Sequence, residues 1–312
     1  TDAGNAEVFV AMYGDLVRYD HPRGLWRIWD THRWRSDTDG AAHRMALEAV
    51  RARFRAADAA GGLGNDDRMK LARWALTSES TPRLNALLAQ ARTMKPVADD
   101  GRGWDSARGL LGVPNGVLHL RTLELRAGRP EDRITKQAGA DYDPNAAAPR
   151  WERFLEEVFG ADRELIDYMQ RLAGYSLTGE ASLDKAAFLM GVGSNGKTTF
   201  LSVLRAAAGE YGREVSAAAI LDDSRSAHTT EVADLEGVRL ASCEEVGDRR
   251  LNANRFKQIT GGGDVTARRM RQDNITFPVT WALWLTTNGL PQSDDNSVAF
   301  WRRVAVVPFE QQ

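Results

Sequence analysis

The residues with the plainest chemical consequence are Gly191-Val192-Gly193-Ser194-Asn195-Gly196-Lys197-Thr198-Thr199. Gly, four residues and then Gly-Lys-Thr sets small residues where a backbone must curl, so that successive N–H groups face inward around the β- and γ-phosphates of a nucleotide. Lys197 brings a mobile positive charge and Thr198 a hydroxyl for Mg²⁺. Phosphoryl transfer also needs acids that hold the metal and activate water. Glu244-Glu245 directly follow a strand-like run at 237–243, at the carboxyl end where α/β proteins bind their ligands. The residues alone do not divide the two roles between these glutamates. Asn288 ends a second apolar run, 278–287, and its amide could hold the attacking water against the γ-phosphate. Arg302 and Arg303 stand immediately before the apolar run 304–309, where an arginine could act on the γ-phosphate of a neighbouring subunit.

These groups need a frame. The apolar run 186–190 has the length of a buried strand, and 200–208 carries apolar residues at helical spacing, so strand, glycine loop and helix arrive in the order of an α/β nucleotide site. Ahead of them, Trp151, Phe154, Leu155, Val158 and Phe159 share one helical face, and Leu165, Ile166, Met169 and Leu172 repeat the pattern, predicting a helical pair.

A basic segment lies between the acids and Asn288. From Asp248 to Asp273 the chain has seven arginines and lysines against three aspartates. Gly261-Gly262-Gly263 reads as a bend leading into a two-stranded finger, with Arg268, Arg269 and Arg271 near its tip. Such a finger, with Lys257 close by in sequence, suits the backbone of single-stranded nucleic acid.

Residues 1–145 read as a smaller accessory domain. Trp, Arg and Asp alternate over 1–40 and predict short twisted strands, with the tryptophans closing a small core under arginine stems rather than stacking on bases. Asp37-Thr38-Asp39 has the spacing of a metal-binding carboxylate pair, but its Ser-Asp-Thr-Asp-Gly setting reads as a turn. The pattern is helical from 41 to 92 with a break at 61–65, 96–103 reads as a polar linker, and Asn115-Gly116 between apolar residues predicts a hairpin. Two prolines at 144 and 149 set the domain boundary at 145/146.

Over the 312 residues the net charge is −2, so no chain-wide basic surface for nucleic acid exists and any such site must be local. The single Cys243 excludes an internal disulfide, and the five histidines lack metal-ligand spacing, which favours an intracellular protein without a metal cluster. No apolar run approaches the ~18 residues of a membrane span. A start at Thr1 and a stop just after a strand-like run suggest a piece of a longer chain. Abundant arginine and alanine suggest GC-rich coding, and with it a bacterium or its phage.

The ordered set of glycine loop, Glu-Glu strand, Thr-Gly-Gly loop with arginines, strand-ending Asn and Trp-Arg-Arg-Val closely resembles the superfamily 3 helicases. More narrowly, it is similar to the C-terminal part of phage and plasmid primase-helicases related to the poxvirus primase-helicase. Val113 to Leu118, Asp141 to Pro144, Pro149-Arg150-Trp151 and Gly174 to Gly179 look like the domain that precedes the helicase in that family. The resemblance implies an AAA+-like P-loop NTPase core over 146–312, truncated at its C-terminus, behind a mainly helical α+β domain over 1–145. It implies ATP and Mg²⁺ at Gly191 to Thr199, a metal held by Thr198 with Glu244 and Glu245, and Asn288 as sensor. Arg303, with Arg302 as second choice, matches the arginine finger, and Arg268, Arg269 and Arg271 match a hairpin in the channel of a hexameric ring on single-stranded DNA at replication forks. Priming would belong to sequence upstream of Thr1, and the resemblance also implies a phage, plasmid or prophage gene and a bacterial cytoplasm. One departure is the extra glycine in Gly261-Gly262-Gly263-Asp264, which leaves the hairpin tip unplaced. A P-loop kinase or small-molecule ATPase would share the loop and the acids without needing the arginines, and a nucleotide-gated DNA-binding module would share the fold without turnover.

Overall fold

The computed structural model describes residues 1–59, 64–217, 221, 229–244, 246, 250–268, 274–290 and 292–311. The chain divides into two compact units, residues 1–105 with 128–135, and 106–127 with 136–312. The boundary expected at 145/146 does not coincide with this division. Leu111, Val113 and Leu118 lie in the core of the second unit, and burial of these apolar side chains carries their hairpin with it.

The first unit opens with a helix, α1 (Asp2–Tyr13), whose Gly4 amide donates to the Thr1 side chain at 3.1 Å. Strands over the whole of 1–40 are therefore not what forms: Ala6 and Phe9, three residues apart, bury on one helical face. An antiparallel meander follows, β1 (Val17–Asp20), β2 (Leu25–Asp30) and β3 (Arg33–Ser36). Three helices then cover the helical stretch, α2 (Ala41–Ala59), α3 (Asn65–Ser78) and α4 (Thr81–Ala91). Asp37 accepts from the amides of Ala41 and Ala42 at 2.8 and 3.0 Å, so its carboxylate caps α2, as a turn residue does. The stretch read as a linker supplies β4 (Ala98–Asp99), which adds to β1 in parallel to give the order β3-β2-β1-β4. Arginines cover the tryptophans: Arg18 lies 4.8 Å over Trp34, while Arg27 and Arg133 lie 4.7 and 3.8 Å over Trp104.

In the second unit β5 (Leu110–Val113), β6 (Gly116–His119) and β7 (Glu124–Arg126) form a three-stranded antiparallel sheet, the first pair turning through Pro114-Asn115. The amphipathic pair is α5 (Pro149–Val158) and α6 (Arg163–Thr178). Then come β8 (Ala186–Met190), α7 (Lys197–Ala208), β9 (Gly212–Glu214), α8 (Thr229–Ala233), β10 (Leu240–Cys243) and α9 (Ala253–Thr260). The remainder is β11 (Asp264–Arg268), β12 (Asn274–Pro278), β13 (Ala282–Thr287), α10 (Val298–Trp301) and β14 (Val304–Pro308).

Five of these strands make a parallel sheet in the order β14-β8-β13-β10-β9. β10 and β13 are buried along their whole length and β8 along all but its last residue, as expected of parallel strands covered on both faces. Alternation divides their side chains. Ala187, Leu189, Leu240, Ala282 and Trp284 join one core with Phe200 and Leu201 of α7, whereas Phe188, Ala241, Cys243, Leu283 and Leu285 join another with Phe256 of α9 and Phe300 of α10.

Arg239, at the entrance to β10, ties this unit together. Its buried guanidinium donates to the carbonyls of Leu177 and Leu110, both at 2.7 Å, and lies 4.6 Å over the Tyr211 ring. Arg239→Ala should strand both carbonyls and open a void, costing about 2–4 kcal/mol in urea unfolding. Arg239→Lys should recover only part, because an ammonium lacks the planar fork that reaches two acceptors and a ring together.

Candidate functional site

β8 runs between β13 and β14, and the chain leaving it returns as β9 at the far edge of the sheet. The strand order therefore reverses beside β8, and the crevice beyond its carboxyl end is where an open α/β sheet binds ligands. The glycine loop occupies that place. It joins β8 to the first residue of α7, Lys197, and Gly196 turns it with φ +86°. A Cβ at Gly196 would stand 2.6 Å from Val158 Cγ1, so glycine is required there twice, for the backbone and for the approach of α5.

A cavity of about 640 Å³ opens over the loop. Gly193, Ser194, Asn195, Gly196, Lys197, Thr198 and Thr199 line it from one side, and Thr286, Thr287 and Asn288 at the end of β13 from the other. Gly191 and Val192 form the start of the loop outside this lining, with the Gly191 amide donating to Thr287 O at 3.1 Å. Lys197 is only 7% exposed. Its Nζ donates to Gly191 O at 2.5 Å and to Asn195 Oδ1 at 2.8 Å, and burial lowers its pKa. The Asn195 amide donates in turn to Phe309 O at 2.6 Å, fastening the loop to the chain beyond β14. Chemically this is a cation held by neutral oxygens at a helix N-terminus, an arrangement fit to receive an anion with several oxygens. The sequence reading named Asn195 only as a loop residue. Its contact with Lys197 is local to the loop, but its reach to Phe309, and the lining role of Thr286 and Thr287, depend on long-range pairing that spacing does not report.

Glu244 follows β10, next to β13, the strand that Asn288 follows. Its carboxylate lies 3.4 Å from both terminal nitrogens of Arg205, and it is not among the residues lining the cavity. Glu245 lies outside the described residues. Arg302 and Arg303 sit at the other end of the sheet from the loop: Val304 pairs with Ala186, the first residue of β8, and Pro308 with Met190, the last. About 16 Å of strand thus separates them from the loop of their own chain. Arg303 is buried, 9% exposed, and pairs with Asp184 at 3.4 Å, whereas the Arg302 side chain is 58% exposed and meets the same Asp184 at 3.1 Å.

Of the basic segment, β11 and β12 form the two-stranded finger, pairing from Asp264–Pro278 to Arg268–Asn274. Val265 and Ala267 turn inward, while Thr266 and Arg268 are exposed. Arg269 and Arg271 lie outside the described residues. Lys257 is on α9 rather than on the finger, and its Nζ forms an ion pair with Asp295 that sequence spacing gave no sign of. Hydrogen bonds from Lys257 and Ser297 hold the Asp295 carboxyl down at about 2. Among the described residues no helix is long and apolar enough to cross a membrane.

Comparison with known proteins adds two family matches. Residues 6–160 match the family described as D5 N terminal like, and 189–303 match a family of unknown function, DUF5906. The chain is 28% identical over 217 residues to "Putative helicase L207/L206" of Acanthamoeba polyphaga mimivirus, covering 67% of this chain and 22% of that protein. It is 26% identical over 204 residues to "Putative primase C962R" of African swine fever virus, covering 62% of this chain and 21% of that protein. The chain thus spans about a fifth of the length of these two relatives, and both are viral proteins. In fold it is similar to the apo structure of the NrS-1 C terminal region, with a TM-score of 0.54 and 12% identity over 98% of this chain and 62% of that one.

Two measurements probe the site's geometry. Gly196→Ala should weaken binding of inorganic tripolyphosphate by about tenfold or more, read by calorimetry, since a left-handed backbone and a side-chain clash are added together. Lys257→Ala should move the Asp295 pKa from about 2 up toward the ordinary 3.8, read by NMR titration. Because that carboxyl is depressed in the folded protein, the stability it contributes is present above 3.8 and lost as pH falls through about 2.

Proposed function

We propose that this chain, which belongs to the phage- and poxvirus-type primase-helicase family, is one subunit of an ATP-driven motor that moves along single-stranded DNA. The observation that carries the reading is the buried Lys197 ammonium, held by two neutral oxygens at the mouth of a loop-lined cavity large enough for a triphosphate. In this reading the second unit is an AAA+-like P-loop core of the superfamily 3 helicase type, and the sheet order with the glycine loop at its switch point supports it.

ATP is the substrate and Mg²⁺ its companion. Thr198 lies in the cavity and fits a magnesium ligand, with Glu244 or Glu245 supplying the carboxylate. Bound Mg²⁺ would neutralise charge on the β- and γ-oxygens. Lys197 leaves Gly191 O and Asn195 Oδ1 for phosphate oxygens, the loop amides hold the β-phosphate, and Asn288 with a glutamate orients the attacking water. An arginine from the next subunit then completes the site. Exposure favours Arg302 for that role over Arg303, whose guanidinium is already buried against Asp184 and the Ala299 carbonyl. Lying about 16 Å of strand from their own loop, both arginines suit a neighbour's site better than their own. The β11–β12 finger with Arg268, together with Arg269 and Arg271 that lie between its strands in sequence, supplies phosphate contacts to the DNA.

The test is ATP turnover with and without single-stranded DNA at concentrations where light scattering reports assembly. Wild type should be stimulated by DNA, and Lys197→Ala should abolish turnover. Arg302→Ala should lose roughly 10³–10⁵ in rate while binding ATP normally, and Arg303→Ala should chiefly lower thermal stability. Turnover that ignores DNA in an assembled ring would sink the motor reading and leave a P-loop ATPase.

A further inference from the structure

A second cavity, of about 350 Å³, lies at the root of the finger between α8, α9 and β11. Its floor is apolar, made by Val232 of α8, Ile259 of α9 and Val265 of β11. The rim is polar. Asn254, Arg255 and Gln258 share one face of α9, as spacings of three and four residues require, and Thr266 faces them from β11. Among the described residues no carboxylate lines the cavity, so its one charge is positive. Arg250, Lys257 and Arg303 each pair with an aspartate. The half-buried Arg255 guanidinium forms no ion pair or side-chain hydrogen bond among the described residues, and the exposed Asn254 and Gln258 side chains are likewise without partners there. A cation partly withdrawn from water with nothing to compensate it favours an anion rich in acceptor oxygens.

Continuity with the finger identifies what reaches this cavity. Asp264, Thr266 and Arg268 alternate along the exposed face of β11, and Arg268 stands two residues, about 7 Å of strand, beyond Thr266. Backbone phosphates held at Arg268 are thus a short step from the cavity mouth, while Asp264, at the other end of the strand, is not part of the lining. Resting on the single-stranded DNA reading above, we propose that the cavity seats one nucleotide of that strand, its phosphate on Arg255 and its base over the apolar floor, with the Asn254 and Gln258 amides at the base edge. Volume and chemistry agree. The space lies near the lower end of the range for small-ligand sites, as one nucleotide unit requires. A guanidinium fork meets two phosphate oxygens, and side-chain amides carry both donors and an acceptor, so they suit the edge of any unstacked base. The site therefore grips the strand with little sequence preference.

Fluorescence anisotropy of the full chain tests this on a thymidylate oligonucleotide and on an abasic strand of equal length, over a range of salt and with light scattering reporting assembly. Arg255→Ala should weaken both strands about three- to tenfold and make the salt dependence shallower by about 0.7 for each subunit in contact. Arg255→Lys should keep the slope. The double variant Asn254→Ala with Gln258→Ala should bind the thymidylate about two- to fivefold more weakly and the abasic strand as wild type does. Gln258→Glu, a change at an exposed position that sets a carboxylate beside the phosphate, should weaken both strands. The proposal is overturned if Arg255→Ala keeps the wild-type affinity and slope or, should that variant not fold, if Gln258→Glu binds both strands as wild type does. Equal losses of the amide variant on the two strands overturn it as well, since no base is then seated there. In each of these cases DNA-stimulated ATP turnover by wild type leaves the motor reading standing. A wild type that assembles but binds neither strand overturns both.

Discussion

Everything at the glycine loop depends on β8 being buried between two parallel neighbours. The strand pairs with β13 on one side and β14 on the other, and its side chains divide between two cores, so its carboxyl end has little freedom to move. The loop inherits that rigidity from below and from the flank. Gly196 meets Val158 of α5, and Phe200, one turn into α7, sits among Trp151, Phe159, Trp284 and Phe309 with ring centroids 5.5 to 6.1 Å apart. Aromatic packing of this kind fixes the start of α7, and thereby where its first amides and Lys197 point. The helical pair ahead of the sheet is therefore part of the site's geometry.

Charge is managed by a simple contrast. Arg205, Arg303 and Lys257 each face a carboxylate, at Glu214 and Glu244, at Asp184 and at Asp295. Lys197 faces a backbone carbonyl and an amide oxygen instead. A carboxylate partner would neutralise the ammonium and compete with any incoming anion, whereas neutral acceptors offset part of its desolvation and leave its charge available. The lowered pKa reports that incomplete compensation.

What the sequence made legible was local. The loop, its flanking strand and helix, the acidic strand end and the two-stranded finger all carry local signals, and their elements form where spacing set them; the hairpin forms too, but turns through Pro114-Asn115, one residue before the expected Asn115-Gly116. The misses are long-range. α1 lies inside a stretch rich in strand formers further on, and its burial of Ala6 and Phe9 is decided by the helices it packs on. β4 is two residues that become a strand only because β1 offers an edge. Residues 106–127 follow their apolar side chains into the second unit. Arg303 and Lys257 looked available because spacing shows a charge but not its partner, and Asp184 and Asp295 lie more than thirty residues away from them in sequence.

The placement of charges along the parallel strands carries a last step. Loop and arginines belong to the same strand pair, β8 and β14, at opposite ends of a shared register. A rigid strand pair cannot fold back on itself, so on the motor reading each copy has a phosphate-binding end lacking an arginine and an arginine end lacking a phosphate. Contacts that join such unlike ends head to tail leave one of each open at every addition, until rotation closes a ring. Cooperation between neighbouring sites would then follow from the direction of the strands.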